Sequence, residues 1–191
     1  TGATCGGKST RALEVSRFTG LPVKVMDSMK VYREMDIGSA KPAKDLRNGQ
    51  PFELTDLVDP WEDFTVFDWL DALRESAVPE QPWLICGGTV FYLHALREGI
   101  FQGPGPDENI RRRLQEESRA HGGDYLHDQL QEVDPDAAQT IHRHDHKRLL
   151  RALEVFEQSG EPISVWHQRR VPILDPAKTL MIGVHRERQE I

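Results

Sequence analysis

Near the start of the chain, Gly2-Ala3-Thr4-Cys5-Gly6-Gly7-Lys8-Ser9 matches the pattern G-x-x-x-x-G-K-[ST] in full. No other feature constrains the fold as much, because such a loop works only where it opens a helix. Its glycines let backbone N–H groups turn inward onto phosphate oxygens, and the following helix adds the positive end of its dipole. Lys8 supplies a mobile positive charge, and the Ser9 hydroxyl is a candidate Mg²⁺ ligand. A nucleoside triphosphate such as ATP, or another diphosphate, satisfies a loop of this kind. The bland alternative is a chance Gly-rich turn before a helix.

The residues that follow alternate between helix and strand signals. Leu13, Val15 and Phe18 suggest a helix over 10–19 that ends near Gly20. Leu21 to Met26 reads as a strand closed by Asp27. Residues 28–51 read as loop with one helical turn at most, because Asp36, Gly38, Pro42 and Gly49 break any period. Leu54 to Val58 is a second, weaker strand. Thr65 and Asp68 form a variant capping box for a helix over about 66–77. Trp83 to Cys86 is a short buried strand before Gly87-Gly88, and a helix is expected from Thr89 to Glu98.

This order predicts an α/β fold, a parallel sheet with helices on both faces. The strand that should precede the phosphate loop is not in the sequence. The chain also opens on Thr1 without Met and stops at Ile191 without a terminating signal, so both ends are expected to be missing. Gly103-Pro104-Gly105-Pro106 breaks the composition. Helices are then expected over 107–120, 122–132, 134–141, 145–159 and 162–169, with a last strand over 178–184. The expected organisation is a catalytic core over 1–102, a helical insert over 103–177 and a return to the core over 178–191.

Composition narrows the classes. A length of 191 residues fits one domain, or one domain with an insert. Against 24 basic residues stand 31 acidic ones, which excludes an overall basic nucleic-acid coat but not a local basic patch. No apolar run approaches the roughly 18–20 residues of a membrane span. Cys5 and Cys86 are too few for a disulfide framework, and no signal peptide is visible. A cytoplasmic location is the natural expectation.

Three further constellations carry chemistry. Asp27-Ser28 sits at the C-terminal end of a strand, where ligands of open parallel sheets bind. Asp27 there is a metal ligand, a general base or simply a loop-stabilising cap. Gly87-Gly88-Thr89 follows the next strand, and serves either close approach of a ligand or a tight turn with a Thr cap. Residues 141–151 hold four Lys or Arg, three His and one Asp, with Lys147 and Arg151 on one helix face. Phosphate contact competes there with a solvated charged face. The spacing of His142, His144 and His146 fits no standard helical zinc pattern, and Arg111-Arg112-Arg113 raises the phosphate question again. Chemistry alone leaves two main readings: a phosphotransferase, or an enzyme that cradles a diphosphate leaving group while a basic helical block grips RNA. A regulatory switch fits less well, since no D-x-x-G or N-K-x-D stands out.

The ordered motifs are more specific. Beside the loop and Asp27-Ser28-Met29-Lys30-Val31-Tyr32 stand Met35-Asp36-Ile37-Gly38-Ser39-Ala40-Lys41-Pro42 and Asp56-Leu57-Val58-Asp59-Pro60. Gly87-Gly88-Thr89 with Tyr92, Glu132-Val133-Asp134-Pro135 with Ala137-Ala138, and Arg148 with Arg151-Ala152-Leu153-Glu154-Val155 complete the series. Along nearly its whole length the chain resembles the bacterial tRNA dimethylallyltransferase family, also called tRNA isopentenyltransferases. The resemblance implies a P-loop-kinase-like core with an inserted all-helical domain. It implies transfer of a dimethylallyl group from dimethylallyl diphosphate to N6 of adenine-37 beside the tRNA anticodon, with Mg²⁺ as cofactor and the protein acting as a monomer.

Residue by residue, the resemblance implies that Asp27 is the general base and Thr89 a substrate contact in the reaction channel. It makes Gly2 to Ser9 the diphosphate loop. It assigns tRNA contact to Asp27, Ser28, Met29 and Lys30, to Arg111, and to Lys147, Arg148, Leu149, Leu150 and Arg151. The chain departs from the family pattern at Lys30, at His185 before Arg186, and in a short connection before Trp83. The family's G-Y-R-Q-like motif is not in this sequence. A free-adenylate isopentenyltransferase needs no tRNA-gripping insert, and a small-molecule kinase has no use for Met35 to Pro42.

Overall fold

The computed structural model describes residues 1–2, 6–43 and 52–187. They form two compact units, Thr1–Arg97 with Ile173 onward, and Glu98–Pro172. The first is an α/β unit. Helix α1 (Lys8–Thr19) leads into strand β1 (Val23–Met26), then come β2 (Phe52–Glu53), α2 (Val66–Glu75), β3 (Leu84–Gly87) and α3 (Val90–Glu98). The sheet has the order β2-β1-β3, and β1 runs parallel to both neighbours. Its register pairs Lys24 with Ile85 and Met26 with Gly87.

β1 is central, so all four of its residues are buried. Val23 and Val25 pack with Ala12 of α1. Lys24 points the other way, where its ammonium meets Glu53 at 2.8 Å and the carbonyl of Ser76 behind α2 at 2.9 Å. The indole N–H of Trp69 on α2 reaches the Val25 carbonyl at 3.0 Å. Helices therefore cover both faces of the sheet, as alternation along a strand requires.

The boundaries teach where sequence signals compete. Both arms of the Thr65–Asp68 capping box form and start α2 at Val66. Of the apolar residues expected to pack, only Leu13 meets the sheet cluster, and it stays partly buried. Ala12 and Ser16, four apart, face the sheet, while Val15 and Phe18 are exposed, Phe18 by 92%. Small residues let the helix approach the strands closely, and the larger apolar residues fall on the other side.

The expected strand over Leu54–Val58 lies earlier, at Phe52–Glu53, because Leu54 and Asp56 take left-handed backbone (φ 62° and 56°) that no strand accommodates. Val58 keeps one parallel bridge, to Tyr32. Among the described residues the strand expected at 178–184 is likewise reduced to one bridge, between Val184 and Gly2, beside the bonds of Thr1 to Ile182 and Val184. The part of the 28–51 loop that falls on 44–51 lies outside the described residues.

The second unit contains α4 (Glu108–His121), α5 (Tyr125–Val133), α6 (Pro135–Thr140), α7 (His146–Ser159) and α8 (Ile163–Gln168). Leu114, Leu126, Leu130, Leu149, Leu153 and Val155 form its core. Asp134 is 2% exposed and works in two directions. Its Oδ1 accepts the Ala137 N–H that starts α6, and its Oδ2 accepts the Ser164 N–H of α8. No helix of the described residues is long and apolar enough to cross a membrane.

The packing of α1 sets a test. Ala12→Leu should overpack the sheet face and lower stability by about 1–3 kcal/mol. Phe18→Ala should stay within about 0.5 kcal/mol of the unsubstituted protein. Urea unfolding of both variants reads the difference, and the reverse order would place the buried face where the apolar spacing put it.

Candidate functional site

Gly7 ends the phosphate loop in left-handed backbone, φ 81°, which favours glycine. It is the N-cap of α1 and offers no side chain to the helix, so no side-chain cap covers the first-turn N–H groups. An anion is the natural partner of such a terminus. Ser9 lies in that first turn and is exposed. Lys8 donates to the Gly2 carbonyl at 2.8 Å, which folds its side chain back along the loop. Ala3, Thr4 and Cys5 lie outside the described residues.

β3 delivers the next part. A Cβ at Gly87 would stand 1.9 Å from the Met26 carbonyl oxygen, so only glycine lets β3 run this close to β1. At Gly88 a Cβ would meet the Lys8 ammonium at 3.5 Å, which shows that the lysine lies over this turn. Thr89 follows, and its Oγ1 accepts the Ser28 N–H at 3.0 Å. Asp27 Oδ1 accepts the N–H groups of Met29 at 2.9 Å and Lys30 at 3.2 Å. Asp27 therefore does stabilise its loop, and that bond also fixes the carboxylate. The structure thus links Lys8, Gly88, Thr89, Ser28 and Asp27 at the C-terminal ends of β1 and β3.

Two residues add to this group that spacing alone did not single out for it. The Arg186 guanidinium comes within 3.4 Å of where a Gly7 Cβ would be, which places a second cation beside the loop. Tyr92 packs its ring on Trp69, 5.1 Å between centroids. Burial pushes its phenol up to about 12, and the nearby charges of Tyr32, Asp27 and Asp68 push the same way. Burial also raises the Cys86 thiol, against the pull of nearby positive charges, so it is no thiolate nucleophile near neutral pH. A cavity of about 470 Å³ on the α1 side of β3 shares Lys8 and Gly87 with this group but does not reach Asp27 or Thr89.

A resident metal would need several ligands together. Among the described residues, no group of three or more His, Cys, Asp or Glu is placed to hold one. The Ser9 hydroxyl is a hard oxygen donor that fits Mg²⁺ only together with diphosphate oxygens.

The second unit sorts its predicted RNA contacts into two kinds. Lys147 and Arg148 are exposed in the first turn of α7, whose N-cap is Asp145. Cations at a helix N-terminus oppose the dipole. Leu149 is fully buried in the core, and Leu150 packs against it partly buried, so both side chains support the helix. Arg111 and Arg151 converge on Glu154, whose side chain is fully buried. Arg111 Nε lies 2.8 Å from Glu154 Oε1, and Arg151 Nη1 lies 2.7 Å from Oε2. Arg111 Nη2 also reaches Oε2 at 3.2 Å, and the Asp107 N–H adds a fourth bond, to Oε1 at 2.7 Å. Both arginines keep about a third of their side chains exposed, 35% and 34%. Charge counting found the arginines; nothing in the helical period announces the glutamate that holds them.

The comparisons fit this geometry. Residues 30–191 match the family described as IPP transferase, and residues 1–50 match isopentenyl transferase. The chain belongs to the IPP transferase family. It is 41% identical over 98% of its length to a tRNA dimethylallyltransferase of Syntrophobacter fumaroxidans, and 40% identical over 98% to one of Geobacter metallireducens. It spans 56% and 62% of those two relatives. The fold is also that of a solved eukaryotic dimethylallyltransferase acting on tRNA, with TM-score 0.63 and 24% identity over 88% of this chain and 43% of that one.

Glu154 generates a prediction. Burial raises its carboxyl, but hydrogen bonds from Arg151, the Asp107 backbone and Arg111 outweigh that and hold it below its ordinary value of 4.5. A depressed carboxyl stabilises the fold above its unfolded value and loses that contribution as pH falls through the folded one. Glu154→Ala should cost about 3 kcal/mol at pH 7 by leaving both arginines without their shared carboxylate. The gap between variant and unsubstituted protein should narrow as pH drops below the ordinary carboxylate range, read by urea unfolding at several pH values.

Proposed function

We propose that this chain is the catalytic part of a tRNA dimethylallyltransferase, transferring a dimethylallyl group from dimethylallyl diphosphate to N6 of adenine-37. The single observation that carries this reading is the run of contacts from Lys8 through Gly88 and Thr89 to Ser28 and Asp27. It sets a cradle for a diphosphate leaving group beside a carboxylate fixed at a strand end. A kinase needs the cradle alone. Family membership and the two relatives' names support the same reading.

In this mechanism the exocyclic amine is a poor nucleophile, because its lone pair is delocalised into the purine ring. Asp27 Oδ1 is held by two backbone N–H groups, which leaves Oδ2 to orient the amine and accept its proton as the C–N bond forms. Thr89 fixes the Ser28 side of the same turn. The departing diphosphate is met by the loop N–H groups, Lys8 and the neighbouring Arg186. Ser9 is the residue that would hold Mg²⁺, which supplies charge neutralisation to diphosphate oxygens when bound. The adenine reaches Asp27 only out of its stack, the base-flipping strategy.

The finer architecture belongs to this proposal: a P-loop-kinase-like core, with residues 103–177 as an inserted tRNA-binding domain. Lys147 and Arg148 contact phosphates of the anticodon stem-loop, Lys147 as an exposed ammonium and Arg148 beside its ion pair with Asp145 at 3.4 Å. Arg111 and Arg151 present their exposed edges to the same partner while Glu154 sets their geometry. A cytoplasmic monomer is the form proposed.

The test incubates the natural full-length protein with unmodified tRNA, Mg²⁺ and dimethylallyl diphosphate, with AMP as a parallel acceptor. Mass spectrometry of digested tRNA should show an adenosine heavier by one dimethylallyl unit. Product on AMP alone, or on neither acceptor, overturns the reading. Asp27→Asn should slow transfer by roughly 10²–10⁴ while donor binding is kept. Joint replacement of Lys147 and Arg148 by Ala should weaken tRNA binding and reduce its salt slope by about 2. An unchanged slope returns them to a solvated face.

A further inference from the structure

Lys41 is the most costly residue in the α/β unit that the proposed chemistry does not use. Its side chain is fully buried, yet it carries an ammonium. That group meets Asp56 Oδ1 at 2.7 Å, Asp36 Oδ1 at 3.2 Å and the Tyr32 carbonyl at 2.5 Å. Burying such a charge is tolerated only with this kind of full pairing. The three partners come from the two ends of one loop and from the segment after β2, so the lysine ties them together.

The tied segments are strained. Of the five non-glycine residues with positive φ among the described residues, Glu34, Ala40, Leu54 and Asp56 lie in them. Left-handed backbone at such residues persists only where the surroundings over-determine it. The two segments also share a ladder: Arg33 N–H to Val58, Leu57 N–H to Val31 and Asp56 N–H to Lys30. This last bond matters most. Asp27 Oδ1 holds the Lys30 N–H, the Lys30 carbonyl holds the Asp56 N–H, and Asp56 Oδ1 holds Lys41. Three successive bonds run from the candidate base to the buried ammonium. At the outer end of the clamped loop, Ile37 is 96% exposed.

We propose that Lys41 is a positioning residue for the acceptor, fixing the Asp27–Lys30 turn and the Tyr32–Lys41 loop as one preformed wall against which the acceptor RNA packs through Ile37. The inference rests on the tRNA reading above. A wall built before the acceptor arrives spares the cost of ordering the loop on binding. It acts on the RNA side of the reaction and leaves the diphosphate side alone.

The test uses the natural full-length protein, with unmodified tRNA varied at fixed donor and then donor varied at fixed tRNA. Ile37→Ala removes an exposed side chain and should not perturb folding; it should raise the KM for tRNA about tenfold and leave the donor KM within a factor of two. Lys41→Met should raise the tRNA KM further, and amide exchange of residues 33–43 should speed up while α2 stays protected. If Lys41→Met does not fold, Ile37→Ala alone decides. Equal shifts in both KM values make Lys41 merely structural, and an unchanged tRNA KM in Ile37→Ala removes the wall; either overturns the inference while the functional reading stands. If the unsubstituted protein modifies no tRNA, both fall together.

Discussion

The approach of β3 to β1 at Gly87 is the constraint on which the α/β unit depends. Any side chain there would run into the Met26 carbonyl, so the two strand ends meet only because this residue has none. That contact fixes where the next two residues go. Gly88 comes under the Lys8 side chain, and Thr89 reaches the Ser28 N–H. The glycine-rich loop before α1 and the Asp27 turn after β1 are thereby held at one end of the sheet.

Much of this was legible in the residues. The capping box of Thr65 and Asp68, the glycines after β3 and the helices of the second unit all obey local rules, so their signals survive folding. What local rules missed was set by distant partners. The buried face of α1 follows the closeness of the sheet, which favours Ala12 and Ser16, with Leu13 at its margin, over Val15 and Phe18. β2 sits before Leu54 because the clamp on Asp36 and Asp56 bends the backbone that follows. Charge patterning found Arg111 and Arg151 but could not tell a free cation from one already paired, since Glu154 reads in sequence as one more helical glutamate. Leu149 and Leu150 entered through the family resemblance, and the structure buries Leu149 and packs Leu150 partly buried against the same core.

The two units handle charge differently. In the α/β unit, ammonium groups are buried: Lys24 and Lys41 are both nearly solvent-free and each has carboxylate and carbonyl partners. In the helical unit it is a carboxylate, Glu154, that is buried, with guanidinium groups reaching outward from it. A compact ammonium suits a site closed on all sides. A planar guanidinium can bond a buried carboxylate with one edge and keep another edge at the surface. Arg111 and Arg151 thus keep an outward edge whose direction is set by the carboxylate beneath them.

Asp134 has a consequence for how the helical unit comes apart. One carboxylate starts α6 and also receives the Ser164 N–H of α8. Detaching α8 therefore deprives Asp134 of a partner in a place that water does not reach, and disturbs the start of α6 at the same moment. Fraying from that side is thus penalised at its first step. Two helices of the unit thus share one buried anchor, and α8 leaves only at the expense of the start of α6.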